Sequence, residues 1–264
     1  MVDSNKFLNS EDHQDEKTLW SEKESDIFLQ FGMYLTPDKF EVFQYMTALV
    51  NGIKTKNHTK KILDLCSGGG DLAKMILASD EKNHMLLYDI SDEMLKRSKR
   101  HLNAFENRFE LNKFNIFDPH WYKNLSALDC VVSSLGIHHL NETEKQHLFK
   151  VIYDQLNPGG RFIIFDLVMP LTDQAWQIYQ KQWQLKINRQ LAENQIEAPE
   201  NLNDWNYYSD KEYALSDPID KPSPLYDQLK YLEIAGFYNI EVHHFYAGHA
   251  LFSAQKKSDF IEFG

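Results

Sequence analysis

The chain has 264 residues, 42% of them hydrophobic and 25% charged, so it is long enough and apolar enough for one large domain with a buried core. Its formal net charge of -11 disfavours non-specific attraction to nucleic acid or to anionic membranes. The sequence contains no apolar run long enough to predict a membrane-spanning helix. Two cysteines in predicted strands and a polar start without a signal-peptide core lead us to expect free thiols and a cytoplasmic location.

Residues 1–55 are predicted to form a charged tail followed by a helical lid. Residues 1–25 are rich in charge, whereas from Trp20 onward aromatic and apolar residues recur at roughly helical spacing. Pro37 and Asp38 suit the start of a helix. We interpret this segment either as a lid that brings Tyr34 to the active site or as a helix that packs outside the sheet.

A strand, a glycine turn and a helix then follow in residues 61–79. Ile62, Leu63 and Leu65 indicate a buried strand, which ends before three consecutive glycines at 68–70. Glycines allow a tight turn and let a ligand approach main-chain N–H groups. A second apolar strand ends in Asp89, 19 residues after Gly70. An acidic residue at that spacing is placed to accept hydrogen bonds from ribose hydroxyls.

The charge around the glycine turn indicates the kind of ligand. The spacings of the dinucleotide and phosphate-binding loops are absent, and no Lys or Arg lies in the turn. Instead, Asp64 lies in the strand and Asp71 follows the turn. Acidic residues suit a ligand with a cationic end. S-adenosylmethionine (SAM) meets this requirement, because it has an ammonium group and a sulfonium and no phosphate.

The middle of the chain supplies the candidate catalytic residues. The fourth strand, 129–134, leads to His138, which has the side chain best suited to act as a base at neutral pH. Asp166 follows the fifth strand, 161–165, and is either a second base or a group that orients a neighbour. His138 and His139 resemble a metal-binding pair, but adjacent residues seldom point the same way, so we predict no metal site.

Residues 170–222 interrupt the sheet between the predicted fifth and sixth strands. They contain a glutamine-rich helix and many aromatic residues, and we expect this insertion to cap the substrate, with two or three of its aromatics or histidines in contact with it. A helix ending at Gly236 and two strands, 239–245 and 250–255, complete the chain.

Several of these segments, in this order, resemble the class I SAM-dependent methyltransferases of the small-molecule type. The motifs that carry the resemblance are Asp64-Leu-Cys-Ser-Gly-Gly-Gly, Tyr88-Asp-Ile-Ser-Asp-Glu-Met-Leu, Asp129-Cys-Val-Val-Ser-Ser-Leu-Gly-Ile-His-His-Leu, Leu156-Asn-Pro-Gly-Gly-Arg-Phe and Tyr231-Leu-Glu-Ile-Ala-Gly-Phe. The resemblance implies an α/β fold with a Rossmann-like, doubly wound, seven-stranded and mostly parallel sheet whose last strand is antiparallel. It also implies that residues 56–264 form a SAM-binding domain.

The resemblance, together with the strand positions, assigns a set of cofactor-binding residues. They are Asp64, Ser67, Gly68, Gly70, Asp89, Ile90, Met94, Asn115, Ile116, Ser133 and Ser134. Asn115 stands where the family usually has an acidic residue that faces the adenine, and Asp118 is a competing candidate for that position.

We therefore predict a methyltransferase that transfers a methyl group from SAM to an O, N or C acceptor on a small molecule. A quinone-type acceptor stays open, because Gly69-Gly-Asp-Leu-Ala is also similar to ring-methylating enzymes of quinone synthesis. Two alternatives are a SAM-using enzyme that transfers or cyclises another part of the cofactor, and a noncatalytic binding subunit. No nucleic acid partner and no membrane insertion are expected, and a homodimer is left open.

Overall fold

The computed structural model describes residues 31–55, 59–123, 125–200 and 202–258. The predicted tail at 1–25 and the first part of the predicted lid lie outside these residues. The helices are α1 (Lys39–Asn51), α2 (Asp71–Ser79), α3 (Asp92–His101), α4 (Glu142–Gln155), α5 (Asp173–Glu193), α6 (Lys211–Ser216) and α7 (Leu225–Ala235). The strands are β1 (Lys60–Leu65), β2 (Asn83–Asp89), β3 (Phe109–Lys113), β4 (Leu128–Ser134), β5 (Leu156–Leu167), β6 (Tyr238–Tyr246) and β7 (His249–Gln255).

These strands form a seven-stranded sheet in the order β3-β2-β1-β4-β5-β7-β6. Strands β1 to β5 pair in parallel, and β7 runs antiparallel to both β5 and β6. This arrangement confirms the predicted doubly wound sheet with its antiparallel last strand, and α5 and α6 confirm the helical insertion between the fifth and sixth strands. None of the described helices is long and apolar enough to cross a membrane.

The direction of winding reverses between β1 and β4. From β1 the chain proceeds outward through β2 to β3, and it then returns to the other side of β1 to add β4 and β5. A crevice forms at the carboxyl ends of the strands where the order reverses, and ligands of such sheets bind there. The ends of β1, β2 and β4 therefore define the place for a site.

Two of the helices begin at side-chain caps supplied by their own sequence. The Ser91 hydroxyl accepts a hydrogen bond from the Met94 N–H at 3.3 Å and caps α3. At α4, the Asn141 side chain accepts from the Glu144 N–H at 3.0 Å, while the Glu144 carboxylate accepts from the Asn141 N–H at 2.7 Å. Both caps satisfy N–H groups that have no partner within a helix, so the position of each start depends on local sequence.

The predicted start of the fifth strand at residue 161 is wrong, because β5 already begins at Leu156. The Asn157 side chain donates to an oxygen of the Asp129 carboxylate at 2.9 Å, and Leu156 pairs with Leu128. A register shift between Leu128 and Cys130 accommodates the turn-forming residues 157–160 within the strand. The Asp129 side chain of the neighbouring strand thus helps to hold in the sheet a segment that precedes the predicted strand.

Candidate active site

A cavity opens at the carboxyl ends of β1, β2 and β4. Nine of the residues assigned to cofactor binding from the sequence lie in its wall, namely Asp64, Ser67, Gly68, Asp89, Ile90, Met94, Asn115, Ile116 and Ser134. The strand ends and the loops that follow them bring these residues together from five separate segments of the chain. That they bind a cofactor stays a prediction.

Hydrogen bonds from neighbouring elements hold the glycine turn in place. The Gly68 N–H donates to Asp89 at 2.7 Å, and the Gly68 carbonyl accepts from the Ser98 hydroxyl of α3 at 2.9 Å. Gly68 has φ +52°, and a Cβ built on it would meet no atom within 4 Å. Glycine therefore meets the conformational demand of the turn and leaves open space beside the main chain.

The Asp89 carboxylate anchors this turn and still has capacity to accept. One oxygen accepts from the Gly68 N–H and the other accepts from the Ser91 N–H at 2.9 Å. An ionised carboxylate offers about four lone-pair sites, so capacity remains for a ligand. Burial raises the pKa of Asp89, and the backbone hydrogen bonds from Ser91 and Gly68 partly offset that rise.

Three buried polar atoms in the cavity wall have no hydrogen-bond partner among the described residues. They are Oδ2 of Asp64 and the hydroxyl oxygens of Ser67 and Ser134. Burial, reinforced by the nearby charge of Asp89, raises the pKa of Asp64 to about 8. Because a buried polar group without a partner is costly, these three atoms indicate a polar or cationic ligand.

Helix α1 contributes two residues to the wall that the sequence analysis did not single out, Lys39 and Phe43. Lys39 is buried, and this burial lowers its pKa to about 8, with partial opposition from the charge of Asp71. The helical pattern predicted α1, but it gave no signal that a lysine at its first position faces the cavity. A buried cation opposite acidic groups equips the cavity for a zwitterionic ligand.

Two residues predicted to touch the cofactor are not in the cavity wall. The Ser133 hydroxyl is fully buried and donates to the Leu65 carbonyl at 2.8 Å, because adjacent residues of a strand point to opposite faces. Gly70, at φ +80°, packs against α3, where an added Cβ would lie 3.0 Å from the Ser98 hydroxyl oxygen. Both residues pack against neighbouring elements, and their contact with a cofactor stays a prediction.

Tyr34 also lies outside the cavity wall, which favours the second of the two interpretations, a segment that packs outside the sheet. It packs against a cluster that contains Leu35 and Trp183, and its carbonyl accepts from Gln190 of α5 at 2.9 Å. The aromatic residues of the insertion behave similarly: Trp176 and Tyr208 share a core cluster. The insertion instead reaches the cavity through Pro218, Ile219 and Lys221.

His138 and Asp166 form a buried pair behind the wall rather than in it. Asp166 accepts from His138 Nδ1 at 2.5 Å and from the backbone N–H groups of Ile137 and His138 at 2.8 and 3.0 Å. Burial works against the charge on His138, but the carboxylates of Asp166 and Asp220 outweigh it and raise its pKa to about 10. Because the pair is enclosed outside the cavity wall, His138 is poorly placed to act as a base, and Asp166 fits the predicted alternative of orienting its neighbour.

His139, which the sequence analysis did not select, occupies the cavity wall next to this pair. Its Nδ1 lies 3.0 Å from the Asp220 carboxylate, and burial together with the charge of His138 lowers its pKa. The expectation that the adjacent histidines diverge is wrong, since their ring centroids are only 4.1 Å apart. The 3₁₀ turn at Ile137–His139 brings both rings to Asp220.

Comparison with known proteins decides the family. The model of the ubiE/COQ5 methyltransferase family matches residues 38–252, which is most of the chain. The chain belongs to this family. The methyltransferase resemblance in the sequence is thereby confirmed, and all of the cavity-lining segments lie within the matched residues.

Individual relatives in the family match a smaller part of the chain. A ubiquinone/menaquinone biosynthesis C-methyltransferase from Haemophilus ducreyi is 31% identical over 121 residues, 46% of this chain and 46% of the relative. The corresponding enzyme from Wigglesworthia glossinidia brevipalpis is 34% identical over 127 residues, 47% and 49% of the two chains. The match thus spans about half the length of these relatives.

Solved structures share the methyltransferase fold at low sequence identity. An O-methyltransferase family protein from Burkholderia thailandensis has a TM-score of 0.61 at 14% identity, with 90% of this chain and 61% of that chain covered. Human N-acetylserotonin methyltransferase in complex with SAM has a TM-score of 0.52 at 17% identity, with 90% and 59% covered. These similarities confirm the fold class.

Proposed function

We propose that this protein transfers a methyl group from SAM to a small-molecule acceptor. The observation that carries the proposal is the buried acidic floor of the cavity, where Asp64 has an unpartnered oxygen beside Asp89. A ligand that places positive charge there would relieve the cost of burying both carboxylates. Membership in a methyltransferase family supports the same conclusion.

The residues of the cavity fit the parts of SAM. Asp89 has acceptor capacity for the ribose hydroxyls, and Asp64 with Ser67 offers partners to the cationic end. Lys39 is a buried cation in the same wall and suits the ligand's carboxylate. Ile90, Met94 and Ile116 are apolar, and they lie with Asn115 where the flat adenine ring would be held.

When bound, SAM supplies a methyl group made electrophilic by its own sulfonium. The protein's residues then have to bind donor and acceptor in line and keep water away, which can provide much of the rate gain. Phe43, Phe114 and Leu135 give the cavity an apolar lining that suits this task. His139 lies in the same wall, and burial lowers its pKa.

We propose that the methyl acceptor is a phenol- or quinol-type ring. Relatives in the family are named as C-methyltransferases of ubiquinone and menaquinone biosynthesis. In this chain, Phe117, Pro218 and Ile219 add apolar surface to the cavity beyond the acidic floor. The segment 170–222 would then serve as the substrate cap, with residues 218–221 as its contact.

An assay with deuterated-methyl SAM tests this function. The purified protein is incubated with a panel of unmethylated quinols, phenols and amines, and mass spectrometry follows both S-adenosylhomocysteine and label on the acceptor. We expect both products in equal amounts with at least one ring acceptor, and at least tenfold less of both with Asp89→Ala when SAM is below the Kd of the parent protein. A cofactor product other than S-adenosylhomocysteine would instead favour another group transfer, and failure to bind SAM would favour a noncatalytic subunit.

The location and the assembly of the protein stay predictions. We propose that it acts in the cytoplasm, supported by Cys66 and Cys130 lying apart as free cysteines in the core region. Burial raises the pKa of both thiols, which makes them poor nucleophiles. A homodimer stays open.

A further inference from the structure

Three ligating side chains converge at the edge of the cavity. His138 Nε2 lies 3.4 Å and His139 Nδ1 lies 3.0 Å from the same oxygen of Asp220. The two histidines come from the turn after β4, and Asp220 comes from the insertion, more than 80 residues later in the chain. The fold therefore brings together a set of two histidines and one carboxylate, with the three ligating atoms within 4.8 Å of one another.

Asp166 determines which nitrogen of His138 is available. Its Oδ1 accepts from His138 Nδ1 and from the Leu167 N–H, and its Oδ2 accepts from the N–H groups of Ile137 and His138. An oxygen that only accepts leaves the proton on Nδ1 and the lone pair on Nε2. On a neutral His138 this lone pair would face another acceptor, the oxygen of Asp220, so either the second proton of the imidazolium or a metal ion lies between them.

We propose that His138 Nε2, His139 Nδ1 and the Asp220 carboxylate bind one divalent transition-metal ion, with zinc as the best match. Ligand atoms about 2.0–2.1 Å from a tetrahedral zinc ion lie roughly 3.3 Å apart, close to the observed separations of 3.0 and 3.4 Å. The hydrogen bond from His138 to Asp166 is the carboxylate–histidine arrangement that orients zinc ligands. Because His139, Ile219 and Lys221 line the cavity, water or an acceptor oxygen would complete the coordination.

A second proton on His138 is the competing occupant of the same position. It would satisfy Asp220 without a metal, and it would give the cluster a purely structural role that ties the insertion to the turn after β4. Added metal distinguishes the two occupants. If the position holds a metal ion, the protein should bind one zinc ion per chain, whereas if it holds only a proton, we expect no such stoichiometric binding.

The test is metal binding by the full chain without an affinity tag. Protein freed of metal with a chelator is titrated with Zn²⁺ by calorimetry, and with Co²⁺ while visible absorption is recorded. We expect one zinc ion per chain with a micromolar or lower Kd, and the absorption of tetrahedral Co²⁺ with nitrogen and oxygen ligands. Binding well below one zinc per chain, or binding only at several weak sites, would overturn the proposal.

Substitutions identify the ligands. Asp220→Asn and His139→Gln should each weaken zinc binding at least tenfold and remove the Co²⁺ absorption. His84→Gln is the matched control, because His84 pairs with Glu110 at 3.2 Å on the surface and offers only a two-residue set. Two substitutions at separate ligands keep the test valid if one variant fails to fold. Unchanged zinc affinity in folded Asp220→Asn or His139→Gln would contradict the assignment. Neither readout depends on methyl transfer.

Discussion

At the scale of single residues, Asp64 is the group whose burial has the clearest measurable consequence. Its ordinary pKa is about 3.8, and in the folded protein burial raises this pKa to about 8. Between these values the folded state holds a proton that the unfolded state releases, so the free energy of unfolding falls as pH rises. Ionised Asp64 therefore weakens the free protein most at pH 8 and above.

Asp64→Asn should accordingly stabilise the ligand-free protein at pH 8 by at least about 1 kcal/mol relative to the parent, with a much smaller difference at pH 5. Urea unfolding at the two pH values measures this change. Asp92→Asn serves as the control, since Asp92 is exposed and pairs with Lys113 on the surface. A stability difference that does not grow from pH 5 to pH 8 would contradict the raised pKa.

Lys39 is the residue that links α1 to ligand recognition. If it holds the carboxylate of SAM, Lys39→Met should weaken SAM binding about tenfold, or about 1.4 kcal/mol. It should leave the affinity for 5′-methylthioadenosine unchanged, because that molecule lacks the amino acid part. Calorimetry with both ligands measures the difference, and Lys74→Met, on the exposed face of α2, is the control. Equal losses for both ligands would point to a structural role instead.

At the scale of elements, the insertion helix α5 holds the segment that leads into α1. Gln190 donates to the carbonyls of Tyr34 and Thr36 at 2.9 and 3.1 Å and accepts from the Asp38 N–H at 2.9 Å. Lys186 on the same helix forms an ion pair with Asp38. Helix α5 thereby stabilises one side of the cavity without lining it.

Removing this connection should be costly. Gln190→Ala leaves partly buried backbone groups without partners, and we expect a loss of about 1–3 kcal/mol in the free energy of unfolding. Gln184→Ala, at an exposed position of the same helix, should change it by less than about 0.5 kcal/mol. Chemical denaturation of the two variants decides the matter, and equal stabilities would show that α5 and the segment at 34–38 are not energetically coupled.

The elements also differ in how far they could be predicted. The starts of α3 and α4 depend on caps within a few residues, and their sequences predict them. By contrast, the early start of β5 depends on Asp129, 28 residues away in another strand. Which of Ser133 and Ser134 faces the cavity depends on which face of the sheet each side chain points to. A short apolar run in the sequence does not determine this.

At the scale of the whole molecule, the order of the motifs predicts the sheet and the position of the cavity. The parts of the site that could not be predicted come from elements distant in sequence, namely Lys39 of α1 and residues 218–221 of the insertion. His139 was missed because its orientation depends on Asp220, which only the folded chain brings near. Local sequence patterns thus identify the acidic residues and the glycine turn of the site. The residues that complete the cavity wall are brought there only by the tertiary structure.

The account as a whole depends on a cofactor with a cationic end and ribose hydroxyls binding above Asp64 and Asp89. The most direct measurement is calorimetric titration of the purified protein with SAM, in parallel with the Asp89→Ala variant. The account predicts micromolar binding of one SAM per chain by the parent and at least tenfold weaker binding by the variant, about 1.4 kcal/mol. Absence of binding by the parent, or equal affinity in the folded variant, would contradict it.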